Sequence, residues 1–387
     1  MSERVLVIGA GPAGLATAIA CQRAGIPVDV YERATELKEV GAGMGAQTNA
    51  MKALKRIGVE DLEGMPIEWQ DMYAANGTRL ARVPMGEVSR ECGLEGLSVH
   101  RADLQSALLN AVDRDDIHLG APCVSVEADD EGVTARFADG SEQRGAVLVG
   151  ADGINSVVRK AILGDTPPRY SGFTCWRTVM TPPPGETIIP LDSIRQYFGR
   201  PSVFGIYPIT RGRMHWAGIA PAPEGERDAP GEARRAAGKA FRDFDPAVTR
   251  LIEMTPEELI LRTDIYDRDP ADHWSSGRMT IVGDAAHATT PFLGQGAGIA
   301  MEDGVALVKN LALVDSLRDT RAVELALRAY EDHRRPRTEK IVLGSRQMGK
   351  MISWDRPPRT WIRDQVLRRT PERVWRRRLR ESLAYEV

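Results

Sequence analysis

The string Arg4-Val-Leu-Val-Ile8, followed at once by Gly9-Ala-Gly-Pro-Ala-Gly14, restricts the backbone more than any other part of this chain. A short β-branched run predicts a strand buried on both faces. Residues 15–24 then read as a helix rich in alanine and isoleucine, with Gly25 placed to end it. Val28-Asp-Val-Tyr-Glu32 reads as a second strand, so the chain opens as a βαβ unit. Each glycine has a physical task. Gly9 permits the tight turn, Gly11 lets the backbone approach a pyrophosphate, and Gly14 lets helix and strand pack closely. The helix N-terminus, with Ala13 in its first turn, offers unpaired N–H groups and a positive dipole end to phosphates. Glu32, with Arg33 beside it, ends the second strand where an acid can accept hydrogen bonds from ribose hydroxyls. Glycines alone would be weak evidence. Strand, turn, helix and acid in register are strong evidence for a dinucleotide, but they do not separate FAD from NAD.

The length of 387 residues favours two or three structural units, and a net charge of −3 argues against a chain built to hold nucleic acid. The cysteines, Cys21, Cys92, Cys123 and Cys175, form no C-x-x-C pair, and the histidines show no H-E-x-x-H pattern. Reduced thiols and the absence of a metal site are therefore expected. Residues 5–22 carry no charge and approach the length of a membrane span. The glycines and Pro12 interrupt that run at turn spacing, and it lacks the flanks of a signal peptide, so a cytoplasmic protein is expected.

Further strands are expected at residues 120–126, 133–137 and 146–150, with Asp139-Gly140 as a hairpin turn between the last two. Residues 170–219 alternate apolar and polar side chains and predict an antiparallel sheet outside the nucleotide core. A loop at 221–231, a helix at 232–253, a strand at 278–282, a helix from about Gly298 and a long helix at 323–351 follow. The remaining tail is rich in arginine and tryptophan. Residues 368–380 there suit a solvated helix packed on the body better than an amphipathic membrane-surface helix, because acidic residues dilute the charge.

Two later segments choose the cofactor. Val147-Leu-Val-Gly-Ala-Asp-Gly-Ile-Asn-Ser-Val-Val-Arg159 resembles the "DG" motif of the single-component FAD-dependent aromatic hydroxylases, the class A flavoprotein monooxygenases of the salicylate- and urate-hydroxylase type. Gly283-Asp-Ala-Ala-His-Ala-Thr-Thr-Pro-Phe-Leu-Gly-Gln-Gly-Ala-Gly298 closely resembles their "GD" motif. The resemblance covers about residues 4–351. It implies that Asp152, Gly153 and Arg159 lie near the FAD pyrophosphate and the nicotinamide route. Asp284, at a strand end, is placed to accept a hydrogen bond from the ribityl chain. Pro291 extends the backbone before it. Gly294, Gln295, Gly296, Ala297 and Gly298 let main-chain N–H groups approach a flat ring, and the helix starting there points its positive end at it. His287 is tempting as a base, but the resemblance places it in the motif's scaffold. Arg101 matches the family's phosphate- or ribityl-directed arginine, and Gln105 lies one helical turn later on the same face. Gly41 to Ala50, including Gly45, should pass close to the flavin ring. Gln47 and Thr48 stand there where relatives often carry an aromatic residue and a proline.

The fold implied is α/β, with a Rossmann-like FAD-binding domain (residues 1–70, 98–165 and 273–345). An inserted, mostly antiparallel β-sheet substrate domain (71–97 and 166–272) and a C-terminal helical segment (346–387) complete it. The activity implied is hydroxylation of an aromatic or heteroaromatic substrate. NADPH or NADH would reduce FAD, O2 would add at flavin C4a, and the hydroperoxide would deliver one oxygen atom. No second G-x-G-x-x-G is present, so the nicotinamide cofactor should bind transiently. Arg195, Tyr197, Tyr207, Trp216 and Phe292 are candidates to line the substrate pocket, with His215 as an ambiguous addition. Epoxidation of a polyene, and a halogenase or reductase of the same fold, are the nearest alternatives. The W-x-W-x-I-P string of halogenases is missing. An NAD-dependent dehydrogenase rests on the first motif alone, and a non-catalytic flavin-binding protein is a further alternative. A monomer or a homodimer is compatible with the sequence.

Overall fold

The computed structural model describes residues 3–37 and 42–387. Gly41, the first residue of the expected flavin-adjacent segment, lies outside the described residues. The central strand Val5–Ile8 is buried along its whole length and pairs in parallel with Val28–Glu32 on one side and Val147–Gly150 on the other. Met279–Ile281 and the short Ser275–Ser276 extend this sheet beyond Val147–Gly150, and Ile117–Leu119 closes it beyond Val28–Glu32. Continuous apolar strands of this kind need cover on both faces. The Pro12–Arg23 and Gly296–Leu311 helices supply part of it, and they touch backbone to backbone: a Cβ at Gly304 would stand 2.7 Å from the Thr17 nitrogen.

Several expected boundaries shift. The 120–126 strand is Cys123–Asp129, and the Asp139-Gly140 turn joins Gly132–Phe137 to Glu142–Gly145, not to the strand at 147. Glu142–Gly145 is a polar edge strand, which carries no hydrophobic signal in the sequence. The helix expected at 232–253 is two, Ala233–Ala240 and Pro246–Met254, because Asp245 caps and Pro246 starts a new first turn. The long helix is Thr320–Ile352.

A second sheet of seven strands lies beyond the nucleotide core. Its order is Leu261–Asp267, Arg169–Met180, Met214–Pro221, Val203–Pro208, Ser193–Phe198, Trp69–Ala74 and Arg79–Pro84. All neighbours run antiparallel except Ser193–Phe198 against Trp69–Ala74. Alternation divides its side chains between two faces. Trp176, Tyr197, Phe204, Ile206 and Trp216 form one core with Phe241, Val248 and Leu251 of the 233–254 region. Phe173, Cys175, Phe198, Val203 and Ile219 form the other with Ile352 and Leu367, and Phe292 packs against it.

The arginine-rich tail folds as Pro357–Arg369 and Glu372–Leu383 and is packed on the body. Arg363 is buried and donates to the carbonyls of Gly199 (2.9 Å) and Phe198 (3.3 Å). Arg376 and Arg380 pair with Glu91, and Arg376 also with Glu87. Leu383 and Val387 are buried. Among the described residues no helix is long and apolar enough to cross a membrane.

Candidate active site

Steric necessity assembles the nucleotide end. Gly9 has φ +106°, and a Cβ there would stand 2.4 Å from the Ala151 oxygen, so the first turn lies against the DG motif. A Cβ at Gly14 would stand 1.9 Å from the Gly9 oxygen. Gly283 has φ +60° and meets the Cβ of Ala13, which joins the first turn to the GD motif as well. Gly11 differs from these three. Its φ is −73° and a Cβ would meet nothing within 4 Å, so no internal contact demands a glycine there. Open space on the Gly11 side of the helix N-terminus, with no side chain capping it, fits a bulky anion drawn against the backbone.

Glu32 holds the shape of this loop: its carboxylate accepts from Ala10 N (2.8 Å) and Ala34 N (3.0 Å). Gln105 donates to the Ala10 oxygen (2.9 Å), so Ala10 is held through both its N–H and its carbonyl. Asp152 accepts from Val157 N (2.7 Å) through Oδ2, while its Oδ1 is buried without a hydrogen-bond partner. Burial raises its carboxyl above the ordinary range. An orphaned buried acceptor costs about 1–3 kcal/mol, and a donor brought by a ligand would relieve that. Gly153, at φ +78°, follows it with open space where a side chain would be. Arg159 is buried, and burial beside Arg268 lowers it to about 10. It donates to the carbonyls of Ala285 (2.8 Å) and Ala286 (3.1 Å), so it ties the DG motif to the GD motif from within the protein.

The flavin end is built around the Gly296–Leu311 helix, whose N-terminus also has no side-chain cap. Asp284 is accessible to solvent at the head of the Asp284–His287 turn. Burial raises its carboxyl, while His287 and Arg101 pull it the other way. Arg101 is exposed, with its backbone N–H on Ala42 O (2.8 Å). Pro291 and Gly294 are exposed, with Gly294 left-handed at φ +62°, and Gly296 and Ala297 are half-buried. Gly45, exposed in the Gly43–Ala46 strand, and Arg33, exposed beyond Glu32, make no contact that fixes a role.

Gln47 and Asn49 were not singled out by their chemistry, yet both grip Gln295. Gln295 donates to Gln47 Oε1 and to Ser382 Oγ (3.1 Å), and Asn49 donates to Gln295 Oε1 (3.0 Å) and to Glu302 (2.6 Å). Gly298 allows this approach, since a Cβ there would stand 3.2 Å from Asn49 Nδ2. Behind them Glu302, Asp303 and Arg334 are fully buried and paired, with Arg337 on Glu302 (2.8 Å). Burial opposes ionisation of Glu302, but Arg334 and Arg337 hold it below the usual carboxylate range. His287 is buried on Asp303, whose same oxygen accepts from Gly283 N (2.8 Å), so it belongs to the scaffold.

The expected substrate residues separate by face. Trp216 is fully buried on the face away from the flavin motifs, stacked on Phe204 and bonded to Thr255 Oγ1 (3.0 Å). Tyr197 lies on that same face against Tyr73, and Arg195 reaches over Tyr73 and towards the Tyr197 hydroxyl (3.5 Å). The structure therefore takes these three away from a flavin-side pocket: period two put Arg195 and Tyr197 together, but only the packing shows which side they share. Tyr207, Phe292 and His215 are on the flavin side. Tyr207 stacks on His215 at 5.4 Å, Phe292 meets Phe173 edge-on at 5.6 Å, and His215 fills the space beside Gly43. Burial lowers His215 to about 4, so it is neutral near neutral pH. Its Nδ1 lies 2.7 Å from Thr178 O, a pure acceptor, so Nδ1 carries the proton and Nε2 is left as an acceptor.

The chain is similar to known proteins along most of its length. A family profile described as an FAD binding domain matches residues 2–345. Aurachin C monooxygenase/isomerase of Stigmatella aurantiaca is 37% identical over 94% of this chain and 93% of that protein. The 6-hydroxynicotinate 3-monooxygenase of Bordetella bronchiseptica is 33% identical, covering 93% and 92%. The crystal structure of Klebsiella pneumoniae HpxO with FAD and uric acid superposes with a TM-score of 0.90 at 30% identity, covering 98% of this chain and 97% of that one.

Proposed function

The chain belongs to the FAD binding domain family and is an FAD-dependent monooxygenase, and from that premise we propose that its substrate is a small aromatic or heteroaromatic ring seated on the Tyr207 and His215 side of the seven-stranded sheet. NAD(P)H and O2 are its co-substrates. The observation that carries the reading is the convergence of two helix N-termini without side-chain caps, at Gly11 and Gln295, on turns that join the DG and GD motifs. FAD, when bound, would supply the redox chemistry that couples NAD(P)H and O2 to oxygenation of the ring.

Gly9, Gly11, Ala13 and Gly14 would present the first helix to the pyrophosphate, with Glu32 and Arg33 towards the adenosine. Asp152, with its unpartnered oxygen, Gly153, Arg101 and Gln105 would surround the phosphates and polyol. Asp284 would take a ribityl hydroxyl. Pro291, Gly294, Gln295, Gly296, Ala297 and Gly298, facing Gly45, would place main-chain donors and the positive helix end at the flavin's pyrimidine edge. Arg159 acts as a positioning residue between the motifs. On the substrate side His215 accepts a hydrogen bond through Nε2, Tyr207 offers its hydroxyl, and Phe292 and Phe173 wall the ring and exclude water.

Relatives with 6-hydroxynicotinate, 3-amino-4-hydroxybenzoate or urate in their names support a hydroxylated ring over a polyene. The same reading supports a cytoplasmic enzyme with transient NADPH or NADH and a monomer or homodimer. The test is to purify the yellow protein and follow NADPH and NADH oxidation with O2 uptake across phenols, quinolones and polyenes. Ring-stimulated consumption with a product heavier by one oxygen is expected. A flavin that reacts with O2 but oxygenates no ring in the panel would overturn the substrate assignment.

A further inference from the structure

Resting on that reading of the pocket face, we infer that Arg177 determines specificity by pairing with a negatively charged oxygen carried on the substrate ring. On the Arg169–Met180 strand, Phe173, Cys175, Arg177 and Val179 share one face by alternation, and Phe173 and Cys175 belong to the flavin-side core. Phe173 touches Phe292 of the GD motif, while Val179 is paired with His215, which fills the space beside Gly43. Arg177 thus stands between the two ends of the flavin-side pocket. Its cross-strand partner is Ala217, and Ala217 is paired in turn with Gly205, so the floor beside the guanidinium is made of small residues. Tyr207 lies along Gly205, where a Cβ would stand 2.4 Å from its hydroxyl, and Gln196 is the next residue across the sheet.

Several other arginines in or beside this sheet have counter-groups. Arg213 has Asp103 (2.6 Å), Arg262 has Asp228 (2.6 Å), and Arg195 has Tyr197 and the Tyr73 ring. Arg177 has none. It is half-buried, its Nε is buried without a hydrogen-bond partner, and among the described residues no carboxylate pairs with it. The groups that feel its charge, Cys175 and His215, are both neutral near neutral pH, the thiol raised to about 11 by burial and the imidazole lowered to about 4. An unpaired guanidinium beside a small-residue floor leaves several donors to be satisfied from outside the chain. Arginine presents those donors as a planar fork that suits a planar oxyanion, and charged hydrogen bonds are stronger than neutral ones.

The test uses FAD-loaded protein and one ring in three forms, 4-nitrophenolate, 4-nitrobenzoate and neutral 4-nitroanisole, at mildly alkaline pH, with binding measured by calorimetry. Arg177→Met should weaken at least one anion by about 10- to 100-fold, the range expected for a charge-assisted hydrogen bond, and leave 4-nitroanisole within about twofold. The anion that suffers more identifies the source as a ring hydroxyl or a carboxylate. Arg177→Lys, which keeps the charge without the fork, should recover part of the loss. It also carries the test if R177M does not retain FAD. Equal effects on charged and neutral rings, or no effect on either anion, would overturn the role of Arg177 while leaving the monooxygenase reading intact. If wild-type protein binds none of the three and no ring stimulates NAD(P)H oxidation, the pocket reading falls together with this one.

Discussion

The nucleotide turns and the seven-stranded sheet constrain their residues in opposite ways. At Gly9, Gly14 and Gly283 an added Cβ would stand only 1.9–2.9 Å from a neighbouring backbone oxygen or Cβ, so identity is dictated by space and is visible in any one-dimensional string. On the sheet, Trp216 and His215 are neighbours in sequence, both buried, and face opposite cores. One packs against the helices at 233–254 and the other lies beside Gly43, and no local rule separates them. Backbone-driven sites can be read linearly, whereas side-chain-driven sites depend on which face the rest of the chain covers.

That contrast can be broken most forcefully at the glycines. Gly14→Ala places a methyl 1.9 Å from the Gly9 oxygen and should prevent recovery of folded, FAD-loaded protein or lower its melting temperature by more than about 10 °C. Gly11→Ala has room and should leave the FAD-free protein within about 1 kcal/mol of wild type, while weakening FAD by about tenfold or more in a flavin-release titration. If the two variants behave alike, the division between packing glycines and ligand glycines is wrong.

The pocket face has a pH signature of intermediate size. His215 is lowered to about 4 in the folded protein, below the ordinary 6.5 of a histidine in the unfolded chain. Its contribution to stability is therefore complete above about pH 6.5 and is lost as pH falls through 4, a maximum of about 3 kcal/mol. His215→Asn should flatten the decline in denaturation midpoint between those limits, measured by urea titration. An unchanged slope would show that His215 is not held neutral by burial. The smallest effect is expected opposite it. Trp216→Phe removes the bond to Thr255 and should cost about 1–3 kcal/mol, yet leave ring binding unaltered, whereas Tyr207→Phe should change ring binding with little cost in stability. Reversal of that pattern would exchange the roles of the two faces.

By itself the sequence determined the βαβ opening, the DG and GD turns and the long helix. Each rests on a local rule: glycine conformation, helix capping or apolar periodicity, acting over a few residues. The positions of Gly11, Asp152 and Asp284 at those turns were legible for that reason. Only the tertiary structure decided that Arg159 faces inward to Ala285 and Ala286, that the basic tail lies against Glu87 and Glu91, and that Ser382 reaches Gln295. It also decided that Arg195, Tyr197 and Trp216 share one face of the sheet and Tyr207, His215 and Arg177 the other. Strand alternation assigns residues to a common face, but burial against the helices at 233–254 or beside the flavin motifs chooses between the faces, and that choice rests on contacts between distant segments.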